Sequence, residues 1–140
     1  MTTGFALFEH TADVGVRAWG GSEEAVFEEA AKGMFSLVCD PLTVGSEETL
    51  AVSVEAPSAD HELLLVAWLN ELLYLFEARR ILFSEYRVLE LGESSLRAEV
   101  AGEALGAHHT VCGGVKAATY HGLKLARTND GWEAEVILDV

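Results

Sequence analysis

The pattern of apolar and polar residues predicts strands at the start of the chain. Phe5 to Glu9 and Val14 to Trp19 are short runs of the kind that form β-strands. Four residues, His10 to Asp13, separate them and are polar enough to form a turn or a bulge. Gly20-Gly21 then ends the pattern. We therefore expect two strands before the first helix.

The first helix is expected from about Glu23 to Val38. Ser22 can cap it, and Glu23 and Glu24 suit the positive end of the helix dipole. Small and apolar residues then recur at the spacing of one helix face, at Val26, Ala30, Gly33, Met34 and Leu37.

A second helix is expected after Asp60, which can cap it. From Leu63 to Phe76 the polar residues are Asn70 and Glu71, so the pattern is that of a helix buried on almost every side. The run is too short to span a bilayer.

The remaining patterns are strands. Glu48 to Ala56 alternates apolar and polar residues, and four later segments form an expected β-meander: Ile81 to Leu91, Ser95 to Gly102, a segment ending near Leu125, and Trp132 to Val140. This order of elements predicts an α+β fold. We expect a single two-layer domain over residues 1–140, with two helices packed on a mainly antiparallel (mixed) β-sheet.

The net charge of the chain limits the kinds of molecule that it is expected to bind. Lys plus Arg is 9 and Asp plus Glu is 23, which gives a net charge of -14. Such a chain repels the phosphates of nucleic acid, so direct binding of RNA or DNA is disfavoured. A basic protein partner or bound cations fit better, although an acidic surface also keeps a small protein soluble.

The cysteines and the first residues of the chain indicate the cellular compartment in which we expect the protein. Cys39 and Cys112 form no Cys-x-x-Cys motif, so we expect reduced structural thiols. Met1 to Gly4 lacks a signal-peptide pattern, and no apolar run is long enough for a membrane helix. We expect a cytoplasmic protein. The sequence does not indicate an oligomeric state.

Two aspartates near opposite ends of the chain are candidate ligands of a hard cation. Asp13 lies between two predicted strands, where it could cap a turn or point off the strand ends. Asp139 lies in the last predicted strand beside the carboxylate of Val140. A fold that joins the two ends would gather three acidic groups, and calcium accepts such oxygen ligands. The five histidines show no zinc-ligand spacing.

Lys116 and the histidines allow alternatives. In Val115 to His121, the spacing favours a strand in which Lys116 neutralises nearby acid and His121 is hydrogen-bonded in the sheet. His108-His109 is expected to be a solvated pair in a loop. The chain has no nucleophile elbow, phosphate-binding glycine loop or dinucleotide fingerprint.

Four motifs in order along the chain resemble the archease family: His10 to Asp13, Trp68 to Tyr74, Val115 to His121, and Val136 to Val140. The resemblance covers essentially the whole chain. It implies a small acidic α+β protein that is a cofactor of the tRNA-splicing RNA ligase rather than an enzyme. Archeases promote guanylylation of a histidine of that ligase and its multiple turnover, and can broaden its use of nucleotides.

The resemblance also implies roles for individual residues. Asp13 and Asp139 match the metal-binding aspartates of the family, with Val140 adding a terminal or main-chain oxygen. Calcium is the expected metal, while magnesium and manganese also accept oxygen ligands. Lys116 matches a position expected to matter for activation.

His10 and His121 belong to the motifs without an assigned role. They also bear on an alternative function, a small metal-dependent phosphoester hydrolase that would use Asp13, Asp139 and His10 around a metal-bound water. That alternative lacks an evident nucleophile and an evident substrate pocket.

Overall fold

The chain folds into two antiparallel sheets and two helices. This computed structural model describes residues 2–10, 13–109 and 111–140. The elements in chain order are β1 (Gly4–His10), β2 (Asp13–Gly20), α1 (Glu23–Ser36), β3 (Glu48–Glu55), α2 (His61–Arg79), β4 (Ile81–Leu91), β5 (Ser95–Ala104), β6 (Ala117–Ala118), β7 (Lys124–Thr128) and β8 (Gly131–Asp139). A short 3-10 turn, Pro41–Thr43, follows α1.

Sheet one has the strand order β1-β2-β8-β6, with β7 also paired to β8, and sheet two has the order β3-β5-β4. All of the described strand pairs are antiparallel. The predicted α+β class with two helices is confirmed. The expected single sheet with a C-terminal meander is wrong, because β5 pairs with both β3 and β4 in a separate sheet, while β8 returns to pair with β2.

Matching apolar faces explain the return of β8. Val136 pairs with Val16 and Ala134 with Ala18, and all four side chains are buried. This long-range register keeps the apolar face of each strand towards the helices. Both helices contact strands of both sheets, so one buried cluster joins the two layers.

Helix α1 begins where its cap predicts. The Ser22 hydroxyl accepts a hydrogen bond from the Ala25 backbone N–H at 3.2 Å. The helix packs closely on sheet one at Gly33, where a Cβ atom would lie 2.8 Å from Cγ1 of Val16. It ends at Ser36, two residues before the expected Val38.

Helix α2 is largely buried between Leu64 and Leu73, as predicted, whereas Tyr74, within the expected apolar run, is 63% exposed. The Asp60 carboxylate accepts hydrogen bonds from the backbone N–H groups of Glu62 and Leu63, at 2.9 and 3.3 Å. Trp68 is fully buried, and its Nε1–H donates to the Phe27 carbonyl of α1 at 2.9 Å. No helix among the described residues is long and apolar enough to cross a membrane.

The segment before β8 differs from its prediction. Within Val115 to His121, expected to be a strand, Ala117 and Ala118 alone have strand pairing. The strand expected to end near Leu125 instead begins at Lys124 and ends at Thr128. The hydrogen bonds of this segment go to side chains and to the last residues of β8, which the alternation of its residues does not reveal.

Candidate functional site

The ends of β2 and β8 bring two of the predicted site residues together. Val14 and Leu138 are the outermost pair of this ladder, so Asp13 and Asp139 follow it directly at one edge of sheet one. They lie on the face that carries Gly15 and Ile137, opposite the core-facing Leu138. Asp13 is half-buried, whereas Asp139 and Val140 are exposed.

The strand β6 brings Lys116 to the same edge. Ala117 pairs with Asp139, and the Lys116 backbone N–H donates to the Asp139 carbonyl at 2.7 Å. The Lys116 side chain is exposed. Strand ends of β2, β8 and β6 therefore place Asp13, Asp139 and Lys116 side by side.

His121 lies further along the same segment. The backbone N–H and the hydroxyl of Thr119 both donate to the Ile137 carbonyl, at 3.0 and 2.9 Å. The His121 backbone N–H in turn donates to the Thr119 hydroxyl at 3.3 Å, and His121 is exposed. The structure therefore fixes the backbone of His121 near the end of β8 but does not place His121 inside the sheet as expected.

Another predicted residue, His10, lies in β1 on the other side of Asp13 from Asp139. It pairs in register with Asp13 across β1 and β2. Thr11 and Ala12, which belong to the same motif, lie outside the described residues, and so does the His10 side chain.

Asn70 is a positioning residue that the sequence interpretation missed. Its Nδ2 donates to the Ala118 carbonyl at 3.1 Å, and its Oδ1 accepts from the Ala118 N–H at 2.8 Å. The amide thus replaces a neighbouring strand for β6 and ties α2 to the edge that carries Lys116 and Asp139. A signal was present, because Asn70 interrupts an otherwise apolar helix.

On the outer face of β2 and β8, an ion pair lies in the middle of the strands, away from Asp13 and Asp139. Nη2 of Arg17 lies 2.8 Å from Oε1 of Glu135, and the contact with Glu135 raises the pKa of Arg17. Within the described part of the chain, neither Asp13 nor Asp139 has such an ion-pair partner. A half-buried and an exposed carboxylate at adjacent strand ends are a donor set that suits a hard cation.

A second cluster joins Glu103 to His108 and His109. Oε1 of Glu103 lies 2.9 Å from Nε2 of His108 and 2.8 Å from Nε2 of His109, and it accepts the Gly45 N–H at 2.8 Å. The Gly45 N–H and the two histidines lower the pKa of Glu103 to about 2. The prediction of a solvated histidine pair is wrong for His109, which is only 8% exposed.

The three side chains of this cluster are close enough to hold a metal ion, with their ligand atoms within 4.8 Å of one another. The hydrogen-bond partners argue against that use. The Gly106 N–H donates to Nδ1 of His109 at 2.8 Å, so the ring carries its hydrogen on Nε2 and donates it to Glu103. A metal at Nε2 would move that hydrogen to Nδ1, against the Gly106 N–H. The cluster therefore acts as a latch that holds the loop after β5 to Gly45.

Comparisons with known proteins identify the family and the fold. The archease protein family matches residues 5–140. The archease of Methanosarcina acetivorans is 41% identical over 141 residues, covering 97% of this chain and 95% of that protein. The archease of Pyrococcus furiosus is 33% identical over 138 residues, covering 95% and 96%. The solution structure of Methanobacterium thermoautotrophicum protein 1598 matches with a TM-score of 0.81 and 34% identity, over 98% of this chain and 99% of that one.

Proposed function

Because this chain belongs to the archease family, we propose that it activates the tRNA-splicing RNA ligase as a protein cofactor and is not itself an enzyme. It promotes guanylylation of the active-site histidine of the ligase and multiple turnover, and it widens the range of nucleoside triphosphates that the ligase uses. We place this activity in tRNA processing in the cytoplasm. The observation that supports the proposal most is the meeting of Asp13 and Asp139 at adjacent strand ends.

The proposed cation ligands are Asp13, Asp139 and Val140. All three offer oxygen, and the exposure of Asp139 and Val140 leaves room for waters, which calcium accepts beside carboxylates and carbonyls. We propose calcium, with magnesium and manganese as the ions that would compete for the same oxygens. When bound, a cation would supply positive charge at the oxygens of Asp13, Asp139 and Val140.

The partner is proposed to be the ligase and not its RNA. A chain with a net charge of -14 is attracted to the basic surface of an RNA-binding enzyme and repelled by free RNA. Lys116 places one positive group at the edge of this acidic surface, beside Asp139. We propose that Lys116 acts in activation; His10 and His121 receive no role.

The first test measures the transfer of labelled GMP to the cognate ligase in a single turnover, with and without this protein. The proposal requires faster transfer with the protein present, and it fails if the rate is unchanged. The alternative, a metal-dependent phosphoester hydrolase, predicts turnover of phosphodiester or phosphomonoester substrates by the purified protein alone. No such turnover is expected.

The role of Lys116 has a matched control in this chain. Lys124 is also an exposed lysine, on β7 of the same sheet. Lys116→Ala is expected to slow guanylylation at least tenfold while Lys124→Ala leaves the rate unchanged. Equal effects of the two substitutions would show that Lys116 has no specific role in activation and acts only as one of several surface charges.

A further inference from the structure

His61, the first residue of α2, touches two groups that accept hydrogen bonds and cannot donate them. Its Nδ1 lies 2.7 Å from Oε2 of Glu23, and its Nε2 lies 2.8 Å from the Gly92 carbonyl oxygen. A neutral imidazole has one N–H, so one of these contacts would set two lone pairs against each other. Both contacts are hydrogen bonds only when both ring nitrogens carry hydrogen.

We infer that His61 is an imidazolium clamp: in its doubly protonated form it ties the first turns of α1 and α2 to the β4–β5 turn, and loss of one ring proton as the pH rises frees that turn. Glu23 is the first residue of α1, and Gly92 directly follows β4. The three segments are distant in sequence, so the ring cross-links the two helices and sheet two.

The surroundings favour the charged ring. His61 lies in a cleft with Glu23 of α1, Asp60 and Glu62 of α2, and Glu93 of the β4–β5 turn, while Leu125 and Trp132 complete the cleft without charge. The N-terminus of α2 opposes a cation at this position. The Glu23 carboxylate, whose Oε2 lies 2.7 Å from Nδ1 of His61, outweighs that opposition.

The pKa of His61 depends on its burial and on the groups that contact its ring. Partial burial lowers the pKa, but the hydrogen bond to Glu23, the backbone of Gly92, the charge of Glu23 and the backbone of Glu93 together raise it by more, so the pKa lies above its ordinary value. A raised pKa in the folded protein stabilises the fold fully below the unfolded value of about 6.5. That contribution is lost as the pH rises through the folded value.

The contact with Gly92 is the one expected to break. After deprotonation the remaining hydrogen stays on Nδ1, because a carboxylate is a stronger acceptor than a carbonyl. The turn keeps two other backbone hydrogen bonds, one within the turn from Gly92 N–H to the Ser95 carbonyl and one from Ala56 N–H, directly after β3, to the Ser94 carbonyl, each at 2.8 Å. The hairpin therefore persists while its tip separates from the two helices.

The test is a nitrogen-15 NMR titration of the histidine rings in the intact chain. At pH 6.5 we expect both His61 nitrogens to show the shifts of protonated imidazolium, with a titration midpoint above 6.5. In Glu23→Gln, which keeps an acceptor and removes the charge, the midpoint is expected to fall. Hydrogen exchange at Glu93 and Ser94 should accelerate above the wild-type midpoint beyond the ordinary effect of pH.

His108 serves as the internal control, because its side chain is 62% exposed and its partner is Glu103. Its ring nitrogen shifts at pH 6.5 should be the same in wild type and Glu23→Gln. A His61 ring that is a neutral tautomer at pH 6.5, or a midpoint that Glu23→Gln leaves unchanged, would overturn the inference. The titration uses the wild-type protein, so it remains decisive even if the variant fails to fold.

Discussion

The side-chain amide of Asn70 and the backbone of Ala118 exchange two hydrogen bonds, at 3.1 and 2.8 Å. This pairing links a helix to a two-residue strand and holds the strand beside Asp139. A helix residue that neither carries charge nor occupies the proposed cation site thereby controls where Lys116 and the end of β8 lie.

Asn70→Ala is expected to destabilise the protein by about 1–3 kcal/mol, because both partly buried groups of Ala118 lose their partner. Ligase activation should fall by more than the unfolded fraction explains, since the edge loses its alignment. Urea unfolding and guanylylation rates measure the two effects. Glu71→Gln is the control on the same helix, and equal losses in the two variants would contradict the positioning role.

Gly102→Ala is expected to destabilise the fold by more than about 2 kcal/mol. A Cβ atom at Gly102 would overlap the carbonyl oxygen of Leu82, and a backbone atom cannot move aside as a side chain can. Gly114→Ala is the matched control, because a Cβ there meets nothing within 4 Å. Thermal unfolding of both variants checks the prediction, which fails if they melt together.

The latch at Glu103 predicts a particular loss of stability in acid. The pKa of Glu103 is lowered to about 2, so the carboxylate stabilises the fold fully above its ordinary value of about 4.5. This contribution declines as the pH falls from about 4.5 towards 2.

Glu103→Gln tests that window. The difference in unfolding free energy between wild type and variant should be largest above pH 4.5 and should shrink towards pH 2. Urea unfolding across this range measures it, with Glu99→Gln on the exposed face of β5 as the control. A difference that is constant with pH would show that Glu103 does not act through its charge.

Calcium is expected to raise the melting temperature by binding the folded state. Asp139→Asn should weaken this rise, because it removes a proposed carboxylate ligand. Glu103→Gln should leave it unchanged, since Gly106 fixes His109 in the form that donates to Glu103. Differential scanning fluorimetry over a calcium series checks both variants, and a response carried by Glu103 would move the cation site to the latch.

Local chemistry in the sequence predicted the helices well. Ser22 and Asp60 cap α1 and α2 as their positions suggest, and the apolar run of α2 predicted its burial. Strand β4 matches its expected bounds, and β5 begins at Ser95 as expected but ends at Ala104, two residues after Gly102. The turn residues Gly92-Glu93-Ser94 mark the end of β4 and the start of β5. These features depend on neighbours within a few positions.

The sequence pattern does not reveal which distant residues pair with each other in the fold. The alternation in Val115 to His121 resembles a strand, but Ala118 pairs with Asn70 and Thr119 with Ile137, which are distant in sequence. His109 is a different case, because its partners Gly106 and Glu103 lie only three and six residues away in the chain, yet no turn motif or alternation in the sequence indicates that they bind both of its ring nitrogens. Asp13 and Asp139 are a third case. The resemblance of the motifs indicated both aspartates, and the register of β2 and β8 then placed them at one edge of sheet one.

The edge formed by Asp13 and Asp139 is proposed to serve ligase activation. The most direct measurement is the single-turnover guanylylation rate of the cognate ligase with Asp13→Asn, Asp139→Asn and the control Asp130→Asn, an exposed aspartate in the β7–β8 turn. Each protein is added at a saturating concentration after its fold is verified. We predict at least a tenfold loss of stimulation with each of the first two variants and wild-type stimulation with Asp130→Asn. Full stimulation by both Asp13→Asn and Asp139→Asn would contradict the account.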